Sequence, residues 1–534
     1  MKNTFSAYLL SIFFIGLGFI FITPPFEAFD ENAHYSRIIE SISNNFSLKQ
    51  NNIQMDKRIE NYEGPMPFGI GINFEDRLTY KKFFDGQHEQ NFIQKYKDKS
   101  FDFSYKKGEI INWQNQHPPL YYMIMGLILS PFDNLSLHSQ INFLRIISFM
   151  FVLVGVAFSL IAVQKFLGKH NEFFGFYFYP LFFPMFFIEF ARIGNDSICF
   201  LLNSMIFYYS LKWFKYKNHS SLFLIGIFLG IGILVKAFFI PIFISLLLFV
   251  FLIDYSSFKS KLHSFKLTTY IIFPFLIFIS LWFTFNLTVN NDFGLGSEFN
   301  ELMHTSLLDM FNNFSVQSFF RGALVPIVTF SWSGTWSLTR MPALMQILFF
   351  LPCIYLVYFI FKNIYRQSLD QFHYLGIFLL LFFYCSLIFH VFIGQVLKGL
   401  GTSGGWYFHI FFPWIGLMVS SAINPLLSIR VARFSLYCLV SFCFIFIISA
   451  TWFHLSLYGG CSITNDSKYF DFPNQFFCLD KIPEVIQNNL VLNHTLFGLL
   501  CLFVGYYILL NIIKKVMYLV PKILPLEPPK PDRI

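Results

Sequence analysis

The stretch FSAYLLSIFFIGLGFIFITPPFEAFDENAHYSR, residues 5–37, decides how the rest of the chain is read. From Phe5 to Ile22 it is predominantly apolar over close to the ~20 residues that a helix needs to cross the hydrocarbon core of a membrane. Lys2 ahead of it gives the outline of a signal peptide, but no small-residue cleavage site follows, and Pro24 and Pro25 end the run instead. That combination marks a retained first span. The chain then sets Asp30, Glu31, His34 and Arg37 directly against the lipid surface. Ionisable groups are costly there, so they mark a candidate site.

The remaining sequence repeats the apolar theme. Of 534 residues, 55% are hydrophobic and 13% charged, and the apolar residues fall in blocks rather than at amphipathic spacing. This predicts an all-α polytopic membrane protein with about twelve transmembrane helices. The 78 Phe read as filler for lipid-facing positions. The net charge of +8 is a topology signal and points to no nucleic acid. Lys165 and Lys169, then Lys212, Lys215 and Lys217, then Lys259, Lys261 and Lys266, then Lys362 and Arg366, then Arg430 and Arg433, then Lys514 and Lys515 fall in alternate loops. Short loops rich in Lys and Arg stay in the cytoplasm, which puts both termini inside. Walker, HExxH and CxxC patterns are all missing, which argues against a nucleotide-driven pump.

The blocks divide the chain into a first transmembrane helix (1–23), an outer loop with the acidic motif and juxtamembrane helices (24–140), transmembrane helices 2–7 (141–289), a second outer loop (290–341), helices 8–11 (342–453), a third outer loop (454–494), helix 12 (495–516) and a cytoplasmic tail (517–534). Phe173 to Phe190 reads as one span. Ser221 to Ile253 reads as two short helices meeting at Lys236, because basic loops on both sides demand an even number of crossings. HPPLYYMIMGLILSPF, residues 117–132, is too short for a span and suits an interfacial or re-entrant helix. Cys461 and Cys478 share an outer loop where oxidation is permitted, so a disulfide is expected between them. The tail PKILPLEPPKPDRI is proline-rich and is expected to be disordered.

If the segment from Asp30 is helical, Asp30, His34 and Arg37 lie at i, i+4 and i+7 on one polar, outward face with Glu31 at its edge. The plainer reading makes Asp30 a helix cap and Arg37 a solvated side chain. A second outer loop, ARIGNDS at 191–197, offers Arg192, Asn195 and Asp196 on the same side, where Asn-Asp can equally cap the next helix. Carboxylates from two outer loops suit an acid/base pair, or a divalent cation (Mg or Mn) held by Asp30, Glu31 and Asp196; both stay open. His117 and Lys236 are cavity candidates, although Lys236 can simply snorkel. Arg321 and Arg340 bracket GALVPIVTFSWSGTWSLT and suit a phosphate clamp. Trp406, Tyr407 and His409 in GLGTSGGWYFHIFFPW suit stacking on a sugar, although an aromatic belt explains Trp and Tyr without a ligand.

These features, in this order, resemble a family. PPFEAFDENAHYSR leaves the first span, HPPLYYMIMGL closes the long loop, a span begins after Arg145, Asp196 sits in a short outer loop, and two spans meet at LVKAFFIP. This is similar to the integral-membrane glycosyltransferases of the GT-C superfold, which include protein O-mannosyltransferases and the aminoarabinose transferase of lipid A. It resembles above all an uncharacterised bacterial branch of predicted membrane proteins with a Pro-Asp-Glu-x-x-His exit motif. The likeness covers most of the first 240 residues and is looser afterwards; where that branch has Arg before the Tyr, this chain has Trp406. The resemblance implies that a polyprenyl-phosphate-linked sugar enters from the membrane lipids and is transferred to an envelope glycan, lipid or protein acceptor on the periplasmic face. It implies Asp30 as general base, Glu31 as its support or a metal ligand, and Asp196 as the second acidic position; a leaving polyprenyl phosphate needs positive charge, which Arg37, Arg321, Arg340, Lys236 or a divalent cation can supply, with His34 and Arg37 as the adjoining polar wall and His117 as a cavity candidate.

Two other functions compete with this reading. A polysaccharide polymerase or ligase has similar spans but typically carries its arginines in later loops and lacks an acidic exit after the first span. A lipid or sugar flippase requires ionisable residues at mid-membrane depth and inverted repeats, whereas the charge here gathers at the rim.

Overall fold

The apolar blocks fold as helices in the structure, a computed structural model that describes residues 2–47, 53–65, 78–168, 173–258, 261–290, 302, 304–332, 334–336, 343–366, 369–399, 401, 403–428, 430–461 and 478–523. The protein is all-α and polytopic. Among the described residues seven helical segments are long and apolar enough to cross a membrane: Thr4–Ile22, Leu137–Leu167, Phe265–Thr288, Gln371–Lys398, Gly405–Asn424, Arg430–Tyr458 and Thr495–Tyr518. About twelve spans were expected from apolar length. Much of the difference lies in apolar helices too short to count alone, among them His219–Ile233 and Phe239–Leu252, which flank the turn carrying Lys236. A further helix, Asp196–Tyr216, is long enough but polar at both ends.

The expected span from Phe173 to Phe190 is broken. Helix Phe174–Phe182 stops where Phe183 leaves helical geometry (φ −133°, ψ 68°), and Met185–Phe190 restarts after Pro184. Proline has no N–H to continue the ladder. Every residue from 173 to 200 is buried, so Phe176, Phe178, Phe182, Phe186 and Phe187 form core instead of facing lipid. The reading of Phe as lipid-facing filler holds for other positions, such as Phe265, Phe273, Phe434 and Phe503, which are 63%, 61%, 70% and 70% exposed. Broken helices are tolerated at membrane depth when protein surrounds them. Close backbone approach makes that possible here: a Cβ on Gly175 would lie 2.0 Å from the Gly416 carbonyl, and the Gly175 N–H donates to Ser420 Oγ at 2.8 Å. The first and last helices approach in the same way, with a Cβ on Gly18 falling 2.4 Å from Leu502. Small residues are the usual means of such packing.

Above one end of the bundle, the described residues between 24 and 140 fold back as a cap. Helix Glu31–Ser43 is buried along most of its length, so its polar face does not point outward as expected. Helix Leu120–Leu129 covers it, with Tyr121, Tyr122 and Met125 buried. A two-stranded antiparallel sheet, Gln54–Asp56 with Lys107–Ile111, covers it too. The sheet was not foreseen, since its strands are only 3 and 5 residues long. It is fastened to the helix by Asp56 N–H donating to Ser36 Oγ at 2.7 Å and Asn112 Nδ2 donating to the Ala33 carbonyl at 3.0 Å. Cys461 and Cys478 are joined in a disulfide. The last helix runs to Ile523, further than the expected boundary at 516.

Candidate functional site

The proline exit works through one arginine. Arg145, fully buried near the start of helix Leu137–Ala162, donates to the carbonyls of Ile20, Thr23 and Pro24 at 3.2, 2.6 and 2.7 Å. The same guanidinium grips both oxygens of Glu31, Nε to Oε1 at 2.7 Å and Nη2 to Oε2 at 2.6 Å. Phe26 N–H and Ile193 N–H donate to the same carboxylate at 2.9 and 3.2 Å. Glu31 is therefore completely engaged and 0% exposed. It ties the end of the first helix, the second acidic loop and the cap together, and its geometry is that of a structural clamp. Fully satisfied bidentate pairing of this kind is what allows charge to be buried.

Asp30, one residue earlier, has the opposite surroundings. It occupies the N-cap of helix Glu31–Ser43 in the left-handed conformation (φ 57°, ψ 9°), and its side chain makes no capping bond. Ala33 N–H is taken instead by Asn32 Oδ1 at 2.9 Å, so the capping explanation for Asp30 fails. Among the described residues its one side-chain hydrogen bond comes from Trp113, whose Nε1–H donates to Oδ1 at 2.9 Å. The side chain sits deep between protein elements yet keeps an accessible edge, and no ion pair reaches it among the described residues. Burial raises its pKa; Arg192, the Trp113 bond and Lys236 oppose that rise, and Asp196 adds to it.

The second acidic loop forms a compact chain of charges. Lys236 Nζ contacts Asp196 Oδ1 and Oδ2 at 2.8 and 3.0 Å, and Arg192 Nη2 contacts Asp196 Oδ2 at 3.1 Å. Arg192 also grips Glu189 and donates to the Phe29 carbonyl at 2.8 Å. The set of Glu189, Arg192, Asp196 and Lys236 is buried and formally neutral. Lys236 lies over the rings of Phe238 and Tyr407, 4.3 and 4.5 Å from their centroids. Asn195 is fully buried, and among the described residues neither of its amide atoms has a partner.

The other expected residues divide between this centre and other roles. His34 is buried, bonded through Nδ1 to Tyr122 OH at 3.1 Å, and burial, with Arg192, His117 and Lys236 nearby, pulls its pKa well down. His117 is half-buried and is pulled down to about 3 by burial and then Lys236. Arg37, expected in the wall, turns to Glu40 and lies over the Tyr122 ring. Trp406 is half-buried and stacks on Phe29, 4.3 Å between centroids. His409 is 0% exposed with both nitrogens in use, by Tyr179 OH at 2.7 Å and the Phe330 carbonyl at 3.0 Å; it cannot also meet a sugar. Arg321 is exposed on helix Val316–Val328 with no ion pair among the described residues, and Arg340 lies outside them. Sequence reading missed Trp113, Arg145 and Glu189 as members. Arg145 had a signal, a lone cation at the mouth of an apolar block, and Glu189 stands three residues before Arg192; Trp113 had none.

A divalent cation does not fit this donor set. Glu31 is saturated by Arg145 and two N–H groups, and Asp196 by Lys236 and Arg192. A metal shared by Asp30, Glu31 and Asp196 would have to displace those cations. Among the described residues no group of three His, Cys, Asp or Glu is placed to hold one.

The family described as "Predicted membrane protein (DUF2142)" matches residues 13–418. No curated protein matches. Among solved structures the chain is similar to ArnT from Cupriavidus metallidurans bound to undecaprenyl phosphate, at 11% identity and a TM-score of 0.45 over 96% of this chain and 77% of that one. The apo form of that protein matches at 12% identity and a TM-score of 0.45, over 95% and 76%.

Proposed function

We propose that this chain, which belongs to the family described as "Predicted membrane protein (DUF2142)", is a membrane glycosyltransferase. It moves a sugar from a polyprenyl-phosphate donor to an envelope glycan, lipid or protein, at a site facing the periplasm from the inner membrane. The observation that carries this reading is Asp30. It combines an accessible edge, a left-handed cap position and, among the described residues, no ion pair, which suits a general base.

The chemistry follows from the charges. An acceptor hydroxyl loses its proton to Asp30 as its oxygen bonds to the anomeric carbon of the donor sugar, and the bond from that carbon to the phosphate oxygen breaks. General-base assistance of this kind contributes about 10²–10⁴-fold. The leaving phosphate gains negative charge, and fixed cations stabilise it without reorganising. Lys236 is held for that role between Asp196 and two aromatic rings. Such a site lies where the apolar helices end, within reach of a lipid-borne substrate. In this reading the fixed cations nearest the phosphate are Lys236 and Arg192, which Asp196 and Glu189 hold in place.

The test is a deletion strain profiled for envelope glycans and lipid-linked intermediates, complemented by the wild-type chain or by Asp30→Asn. The expected result is restoration by the wild type alone, with a lipid-linked sugar accumulating in the variant. Full restoration by Asp30→Asn overturns the assignment.

A further inference from the structure

Trp113 comes from the far end of the cap, 83 residues from Asp30 in sequence, and the structure goes to some length to deliver it. It opens a short 3-10 helix, Trp113–Gln116, that directly follows the second strand. Asn112 anchors that start three ways. Its Nδ2 donates to the Ala33 carbonyl at 3.0 Å, its N–H to the Ile53 carbonyl at 2.9 Å, and its Oδ1 accepts from Gln114 N–H at 2.9 Å. Because Ala33 lies three residues beyond Asp30, the same helix end fixes both partners of the Trp113–Asp30 bond. Asp30 meanwhile adopts a left-handed conformation, which few residues other than Gly, Asn and Asp visit, and its side chain makes no cap bond. A strained residue whose side chain is turned away from its local helix is a functional signal.

We propose that Trp113 is a positioning residue for the base: its indole N–H fixes Oδ1 of Asp30 and leaves Oδ2 as the oxygen that takes the acceptor proton. This rests on the glycosyltransferase reading above. Among the described residues no hydrogen bond reaches Oδ2. The charged groups acting on the carboxyl are Arg192 and Lys236, which favour its ionised form, and Asp196, which opposes it; Tyr122 and Tyr407 also face it. A neutral donor on the ionised carboxylate has two effects. It fixes the orientation of the group, and it favours the charged form that a base needs.

The experiment isolates the N–H. Trp113 is replaced by Phe, and separately by 3-benzothienylalanine, which keeps the bicyclic ring and puts sulfur where the N–H was. Each purified protein is checked for a monodisperse profile and an unchanged melting temperature. Asp30 is then titrated by the pH dependence of its labelling with dicyclohexylcarbodiimide, which reacts with protonated carboxyl groups, and read by mass spectrometry. The expected result is a midpoint raised by about 1 pH unit in both variants, and an acid limb of the transfer rate raised by the same amount. A merely structural role would lower the rate equally at every pH and leave the midpoint in place. An unmoved midpoint in a folded benzothienylalanine variant overturns the proposal, and so does a raised midpoint with an unmoved acid limb. Failure of the functional reading shows separately, as full glycan restoration by Asp30→Asn, while the labelling midpoint still decides whether Trp113 holds Asp30.

Discussion

Asp30 and Glu31 are chemically near-identical neighbours with opposite fates. Glu31 is enclosed by a guanidinium and two N–H groups at 0% exposure; among the described residues the Asp30 side chain keeps one hydrogen bond, an accessible edge and no ion pair. The left-handed turn at Asp30 separates them, because it takes Asp30 out of the helix phase and sends its side chain toward Trp113 while Glu31 turns into the bundle. A saturated carboxylate holds structure, and an unsaturated one is available for chemistry. An acidic pair read as a unit thus contains two different devices.

Breaking the closed half has the largest effect. Arg145→Met strands Glu31 as an uncompensated buried charge, which costs about 3–5 kcal/mol. Little folded protein is expected, read as a lost monodisperse peak or a large drop in melting temperature in detergent. Adding Glu31→Gln removes the stranded charge and recovers part of the loss. If Arg145→Met alone folds as stably as the wild type, the clamp is not structural.

Breaking the open half leaves folding intact and removes chemistry. Asp30→Asn keeps the size and an acceptor for Trp113, so the melting temperature is expected to hold while transfer falls about 100-fold or more. A large stability change with transfer retained would reverse the comparison.

Asp30 acts as a base only when ionised, and its pKa is raised by burial beyond what Arg192, Trp113 and Lys236 offset. Transfer is therefore expected to fall as pH drops through that raised value, about tenfold per unit below it, with an acid limb above the usual Asp value of about 3.9. A pH profile of kcat/KM flat down to that ordinary value breaks the assignment.

The smallest effect sharpens the contrast with an exposed pair. Lys95 and Glu63 meet at 2.6 Å, but their side chains are 50% and 59% exposed. Such pairs contribute about 0–1 kcal/mol, so Lys95→Ala is expected to change neither transfer nor the melting temperature by more than about 2 °C.

The same contrast divides what was legible beforehand. Apolar run length predicts the all-α polytopic architecture, because a hydrocarbon core demands helices of about 20 residues. Run length cannot distinguish a helix facing lipid from one enclosed by protein, and Phe173 to Phe190 is the instance: Pro184 breaks it and the bundle surrounds it. Within the site, position next to a span brought Asp30, Asp196 and Lys236 into view, since ionisable groups at a membrane boundary are rare. The expected common face of Asp30, His34 and Arg37 assumed one unbroken helix, which the positive φ at Asp30 interrupts.

The sequence by itself determined that this is a polytopic helical membrane protein with an acidic exit from its first span. Both follow from local properties, run length and the two prolines. Tertiary structure alone decided which carboxylate is closed and which is open. Arg145 reaches Glu31 across 114 residues and Trp113 reaches Asp30 across 83. Burial and pairing are set by partners that only folding brings within hydrogen-bond distance, and no local pattern around Asp30 and Glu31 carries that information.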